Sequence, residues 1–203
     1  MENNVGGVIL FSHTPLDHFK QHFMKINLPF ARMMLLSISL LIVPALTTVG
    51  RPVDQPSLTL ILVRHADKQV VPPENKDPDL SAEGVARAEQ LARMFGDSGI
   101  SAIYATQYKR TQQTVKPLAE KLGLPVITLD TKQTPELVKQ LHARKNGDIV
   151  FIAGHDTTVP EIIAAMGGPQ MPTIPSTEYD NIYILTVNSD GSAKLLRMKM
   201  ATR

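Results

Sequence analysis

At 203 residues and 43% apolar composition, the chain has room for one ordinary domain plus an extension, and enough apolar side chains to build a core. A formal charge of +2, with no Lys/Arg block, excludes the electrostatic footprint of a nucleic-acid binder. The lack of any cysteine excludes a disulfide framework, a thiolate nucleophile and a Cys-based zinc site.

From Met24 the chain reads as an export signal. Lys25 and Arg32 supply a basic start, 33–43 an apolar centre, and 44–50 small residues suited to cleavage. The apolar stretch falls short of the roughly 20 residues that span a bilayer. Residues 1–23 are mixed, carry Asp17 and fit the signal poorly, so a start at Met24 is expected. His18 and His22 lie one helical turn apart in this stretch but have no third ligand, and no metal site is read there. The chain is therefore divided into an N-terminal extension over 1–50, with the signal at about 24–50, and a domain over 51–203. Any membrane contact is expected only through the N-terminal segment, if it stays uncleaved.

The domain alternates strand and helix signals. The run Leu58-Thr59-Leu60-Ile61-Leu62-Val63 is continuous and apolar, as strands buried on both faces of a parallel sheet are. A Pro/Asp/Asn-rich loop over 71–78 follows. Ser81 then caps a helix with Val85, Ala88, Leu91, Ala92 and Phe95 on its apolar side, ended by Gly96. A strand over 100–105, a helix over 111–122 stopped by Gly123, a strand over 125–129 and a helix over 135–145 come next. A second buried run, Ile149-Val150-Phe151-Ile152-Ala153, precedes a helix over 159–166. Last, 181–187 and 193–200 flank Asn188-Ser189-Asp190-Gly191-Ser192, a hairpin signal. The expected fold is a three-layer α/β sandwich: a mostly parallel sheet, helices on both faces and a small antiparallel edge hairpin.

Both buried runs end in a histidine, the first in Arg64-His65-Ala66-Asp67 and the second in Gly154-His155-Asp156. Arg110 lies just past the strand over 100–105, at the start of a helix. Ligands of open α/β sheets bind outside the carboxyl ends of the strands, so these side chains are expected to share one crevice. Guanidinium forks match a tetrahedral oxyanion and keep their proton, and a helix N-terminus beside Arg110 adds donors. Two histidines among such donors allow one nucleophile and one proton carrier or oxyanion stabiliser. In-line attack by an imidazole on phosphorus needs neither metal nor cofactor. His142, on a helix, is expected to be solvated.

These residues resemble the histidine phosphatase superfamily, also called phosphoglycerate-mutase-like, in its small bacterial exported branch. Arg64-His65-Ala66 matches the family's triplet after the first strand. Thr106-Gln107-Tyr108-Lys109-Arg110-Thr111-Gln112-Gln113-Thr114 matches the segment carrying its second arginine, and Gly154-His155-Asp156-Thr157-Thr158 the segment carrying its second histidine. Leu80-Ser81-Ala82-Glu83-Gly84 and Glu178-Tyr179-Asp180-Asn181 are also similar to segments of small members. The resemblance implies that His65 is the phosphorylated nucleophile, that Arg64 and Arg110 bind the phosphoryl oxygens, and that His155 completes the pocket. Mutase-type members carry a glutamate acid after a middle strand, where this chain has Leu129-Asp130. The acid-phosphatase branch uses His-Asp, matched by His155-Asp156, so Asp156 is favoured over Asp130 as proton donor. Asp67 is expected to orient Arg64 or a loop.

The expected activity is metal-independent phosphomonoester hydrolysis through phosphohistidine, on a phosphorylated small molecule or macromolecule, in a periplasm or outside the cell. The alternatives are a non-catalytic phosphate-binding or interaction module on the same fold, and a metallohydrolase using His65, Asp67, His155 and Asp156. Phosphate binding without a phosphoenzyme would favour the first, and loss of activity to a chelator the second.

Overall fold

The computed structural model describes residues 58–144 and 147–201. The expected export signal, the boundary at 51 and Lys145 at the expected end of a helix lie outside these residues. Six strands form one sheet, β1 (Leu58–Arg64), β2 (Ala102–Thr106), β3 (Val126–Leu129), β4 (Asp148–Gly154), β5 (Asn181–Val187) and β6 (Ala193–Lys199). Their order is β3-β2-β4-β1-β5-β6. The first four named in that order are parallel, and β5 and β6 add antiparallel pairings. The parallel centre and the edge hairpin are as the sequence predicts.

Among the described residues, four α-helices cover the sheet, α1 (Ala82–Phe95), α2 (Lys109–Leu122), α3 (Thr134–His142) and α4 (Thr158–Ala165). Side chains of β1 alternate between two cores. Leu58, Leu60 and Leu62 join Leu137 and Leu141 of α3 and Val159, Ile162 and Ile163 of α4 on one face. Ile61 and Val63 join Leu91 and Phe95 of α1 and Val115 and Leu118 of α2 on the other. Burial on both faces is why β1 reads as an unbroken apolar run rather than an alternating one. Each such side chain, when fully buried, contributes about 1.5–3 kcal/mol. Gly123 stops α2 in the left-handed region at φ 65°, its N–H turned back to Ala119 and Glu120.

Two expectations change. Val85 is 49% exposed, and Gly84 occupies the buried stripe of α1 in its place. The reason is a close approach of main chains, because a Cβ on Gly84 would lie 2.0 Å from the Asp67 carbonyl oxygen. Helix α2 also starts at Lys109, earlier than expected, which puts Thr111 inside its first turn and completely buried.

Candidate active site

Parallel pairing of β1 with β4 sets Arg64 level with Gly154, so the next residue of each strand is a histidine at the same height. The pairing continues one step further, with the His65 N–H donating to the Gly154 carbonyl at 2.9 Å. The two imidazole rings stand 5.4 Å apart, edge to face. Both are buried, His65 at 3% and His155 at 8% exposure. Burial, first of all, pushes His65 down to about 3, helped by Arg110, Arg64 and His155 and opposed by its hydrogen bond to Ala66. His155 is pushed down to about 4, again chiefly by burial and then by Arg110, while Asp156 opposes the shift. Both rings are therefore neutral near pH 7.

The loop after β1 is held from two sides. Thr114 of α2 accepts the Ala66 N–H at 2.9 Å, and Gln113 accepts from Leu80 N while donating to Asp79. On the other side, Ser81 N donates to the Asp67 carbonyl, and Arg87 Nε donates to Asp67 Oδ2 at 2.7 Å. Asp67 thus fixes a loop through Arg87 rather than orienting Arg64. Inside this frame, His65 Nδ1 lies 2.8 Å from the Ala66 carbonyl oxygen. A carbonyl only accepts, so Nδ1 carries the proton and Nε2 keeps its lone pair.

The two arginines are held by different segments. Arg64 Nη1 donates to the carbonyls of Pro175, Ser176 and Glu178 at 2.9, 2.9 and 3.2 Å. Its guanidinium lies over the Tyr179 ring at 4.3 Å. Arg110 stacks over Tyr108 at 4.4 Å and has Asp77, from the loop over 71–78, at 3.5 Å. Among the described residues, Arg64 Nε and Arg110 Nε are buried and have no hydrogen-bond partner, and Arg110 Nη1, also buried, has only the Asp77 carboxylate at 3.5 Å. Buried donors without a partner are costly, and one on each of two forks beside neutral imidazoles suits an oxyanion guest.

The carboxylates separate clearly. Asp130 is exposed, and both its oxygens are engaged: Oδ1 accepts from Lys132 N and Oδ2 from Gln107 Nε2. Asp156 is half-buried directly after His155, with Oδ1 accepting from Thr157 N. His142 is exposed at the end of α3, as expected. Among the described residues, no three His, Cys, Asp or Glu side chains gather where they could hold a metal ion.

Sequence reasoning gave no role to Thr106, Tyr108, Asp77 or Tyr179. Tyr108 meets His155 edge-on at 5.2 Å, and Tyr179 lies 5.7 Å from His65. Thr106 Oγ1 is 2.8 Å from His155 Nε2. Thr106, Tyr108 and Tyr179 stand within the family-like motifs, and their nearness in sequence to Arg110 and to the segment entering β5 was the only signal pointing to them.

The model for the histidine phosphatase superfamily (branch 1) matches residues 60–132. Phosphoserine phosphatase 1 of Hydrogenobacter thermophilus is 39% identical over 75 residues, which is 35% of this chain. The chain thus spans about a third of that relative's length, 36%. The fold is similar to the protein histidine phosphatase SixA complexed with tungstate, with a TM-score of 0.55 and 17% identity over 70% of this chain and 96% of that one. It is also similar to YhfR of Bacillus stearothermophilus, at TM-score 0.58 and 15% identity over 72% and 98% of the two chains.

Proposed function

We propose that this chain, whose residues 60–132 match the histidine phosphatase superfamily (branch 1), hydrolyses phosphomonoesters through a phosphohistidine on His65. The observation that carries this reading is the set of buried, unpartnered guanidinium donors on Arg64 and Arg110 beside the bare Nε2 of His65. A phosphoryl group held by those donors meets a neutral nucleophile, because burial and the arginines keep His65 unprotonated. The Nε2–P bond forms as the ester P–O bond breaks, and the leaving oxygen takes a proton from Asp156. Water then attacks phosphorus and returns a proton to Asp156, the P–N bond breaks, and its electron pair goes back to Nε2. Donors fixed before the reaction stabilise the equatorial oxygens as charge develops.

Asp156 is preferred over Asp130 because Asp130 is committed to the turn that follows β3. The likeness to a structure holding tungstate, a tetrahedral oxyanion, fits such a site. The substrate is a phosphorylated small molecule or macromolecule, and the reaction proceeds without a metal. An export signal over 24–50 would place it in a periplasm or outside the cell, which amino-terminal sequencing of the mature protein checks.

The test is a rapid quench of the full chain with an aryl phosphate and a chelator present. An acid-labile, base-stable phosphoenzyme that is lost in His65→Ala is the expected result. Phosphate binding without adduct or turnover across several esters would instead identify a binding module.

A further inference from the structure

The two histidines are hydrogen-bonded through opposite nitrogens. His65 spends Nδ1 on the Ala66 carbonyl, whereas His155 spends Nε2 on the hydroxyl of Thr106, at 2.8 Å each. A hydroxyl can donate or accept, so the proton pattern at His155 depends on what else Thr106 touches. It touches Thr111, Oγ1 to Oγ1 at 2.7 Å. Thr111 has one hydroxyl proton and two carbonyls to receive it, Tyr108 at 2.7 Å and Thr106 at 2.9 Å. With that proton on a carbonyl, Thr111 Oγ1 can only accept from Thr106. Thr106 has then given away its own proton, and its oxygen can only accept from His155 Nε2–H. Thr106 and Thr111 are both buried, at 9% and 0% exposure, so their protein partners dominate the pattern.

We propose that Thr106, directed by Thr111, is a positioning residue that locks His155 in the Nε2–H tautomer and leaves the lone pair of Nδ1 facing the ligand. The main chain of His155 is fixed by a separate contact, its N–H donating to Thr158 Oγ1 at 2.9 Å. Thr106 therefore acts on the ring and not on the backbone. Among the described residues, Nδ1 makes no hydrogen bond. The charged and titratable groups around it are Arg64 and His65 at the end of β1, Arg110 and Tyr108 at the start of α2, and Asp156 beside it. In this state His155 has no proton to give a bound phosphoryl group. It accepts one, from a protonated ligand oxygen or from water, before it can donate. The sense of "ligand" rests on the phosphatase reading, but the tautomer does not.

The experiment is a two-bond 1H–15N correlation spectrum of the full chain with 15N-labelled histidine, at neutral pH, with and without inorganic phosphate. The expected result is two neutral rings of opposite tautomer, Nδ1–H for His65 and Nε2–H for His155. Thr106→Val should turn His155 into a mixture of tautomers, and Thr106→Ser should restore the single one. In parallel, aryl-phosphate kcat should fall about 10- to 100-fold in Thr106→Val, as for other lost partners of a functional histidine, and recover in Thr106→Ser. An Nδ1–H tautomer at His155 in the unmodified protein would overturn the proposal, as would an unmixed Nε2–H tautomer persisting in Thr106→Val. The spectra of the unmodified protein and the serine variant decide between these tautomers even if the valine variant does not fold. Absence of turnover with the expected tautomers would sink the hydrolase reading and leave the positioning role of Thr106 standing.

Discussion

Strands β1 and β4 lie side by side in register and each delivers a histidine, yet the two ends are built in different ways. The chain leaving His65 enters a loop, and the ring is oriented by the carbonyl of the very next residue, Ala66. The chain leaving His155 passes almost at once into α4, and the ring is oriented by side chains from β2 and α2. One histidine thus takes its orientation from its own segment and the other from a neighbouring strand and helix. The free lone pair of the His65 ring is secured locally, while the proposed tautomer of the His155 ring depends on tertiary structure.

The largest effect that probes this division is at the histidines themselves. His65→Ala should abolish turnover and adduct together. His155→Ala should still form adduct at a rate lowered by about 10²–10³, the usual loss for one preorganised group at a transition-state oxyanion. Equal and complete loss of single-turnover labelling in both variants would erase the distinction. Next come the arginines, where Arg64→Ala and Arg110→Ala should each cost about 10²–10³ in kcat/KM. Only Arg64→Ala should also lower the melting temperature clearly, because it alone removes a donor shared by three carbonyls of the segment leading into β5. Matching thermal shifts in the two variants would contradict that asymmetry.

A smaller effect is expected from Gly84→Ala, which drives a methyl into the Asp67 carbonyl beneath the His65 loop. Overpacking of this kind costs about 1–3 kcal/mol, measurable by denaturant unfolding. The adduct-forming step should suffer more than phosphate binding. The smallest effect is on stability against pH. Both histidines have folded values, about 3 and about 4, below the ordinary 6.5. The unfolded chain therefore takes up protons that the folded chain refuses. Their contribution is complete above pH 6.5 and is lost as pH falls from there through 4 to 3. Thermal unfolding at pH 7 and pH 5 should show a shallower fall in His65→Asn than in the unmodified protein, and an unchanged slope would contradict the burial argument.

The buried runs of β1 and β4 were legible because strands covered on both faces need apolar residues at every position, and the edge hairpin because Asn188 to Ser192 spell a turn. Arg64, His65, Arg110 and His155 were legible because each sits where a strand ends. What surrounds them was not. Val85 satisfies the helical period, but the approach of the Asp67 main chain decides which side of α1 is buried, and no period encodes that. Arg87 as the partner of Asp67 and Thr106 as the partner of His155 depend on which elements the sheet order brings together. The Asp130 carboxylate looked available in sequence because its turn contacts are made by Lys132 and Gln107 only once the chain is folded.

The hold of Arg64 on the carbonyls of Pro175, Ser176 and Glu178 joins positions 111 to 114 residues apart. Such a long closure carries a large entropic cost and comes late in assembly, after the local helices and turns have formed. The fork proposed to bind the phosphoryl group is therefore brought to its final orientation by the segment leading into β5. A refolding chain should regain helical signal first and activity last, so that catalytic competence times the completion of the sheet.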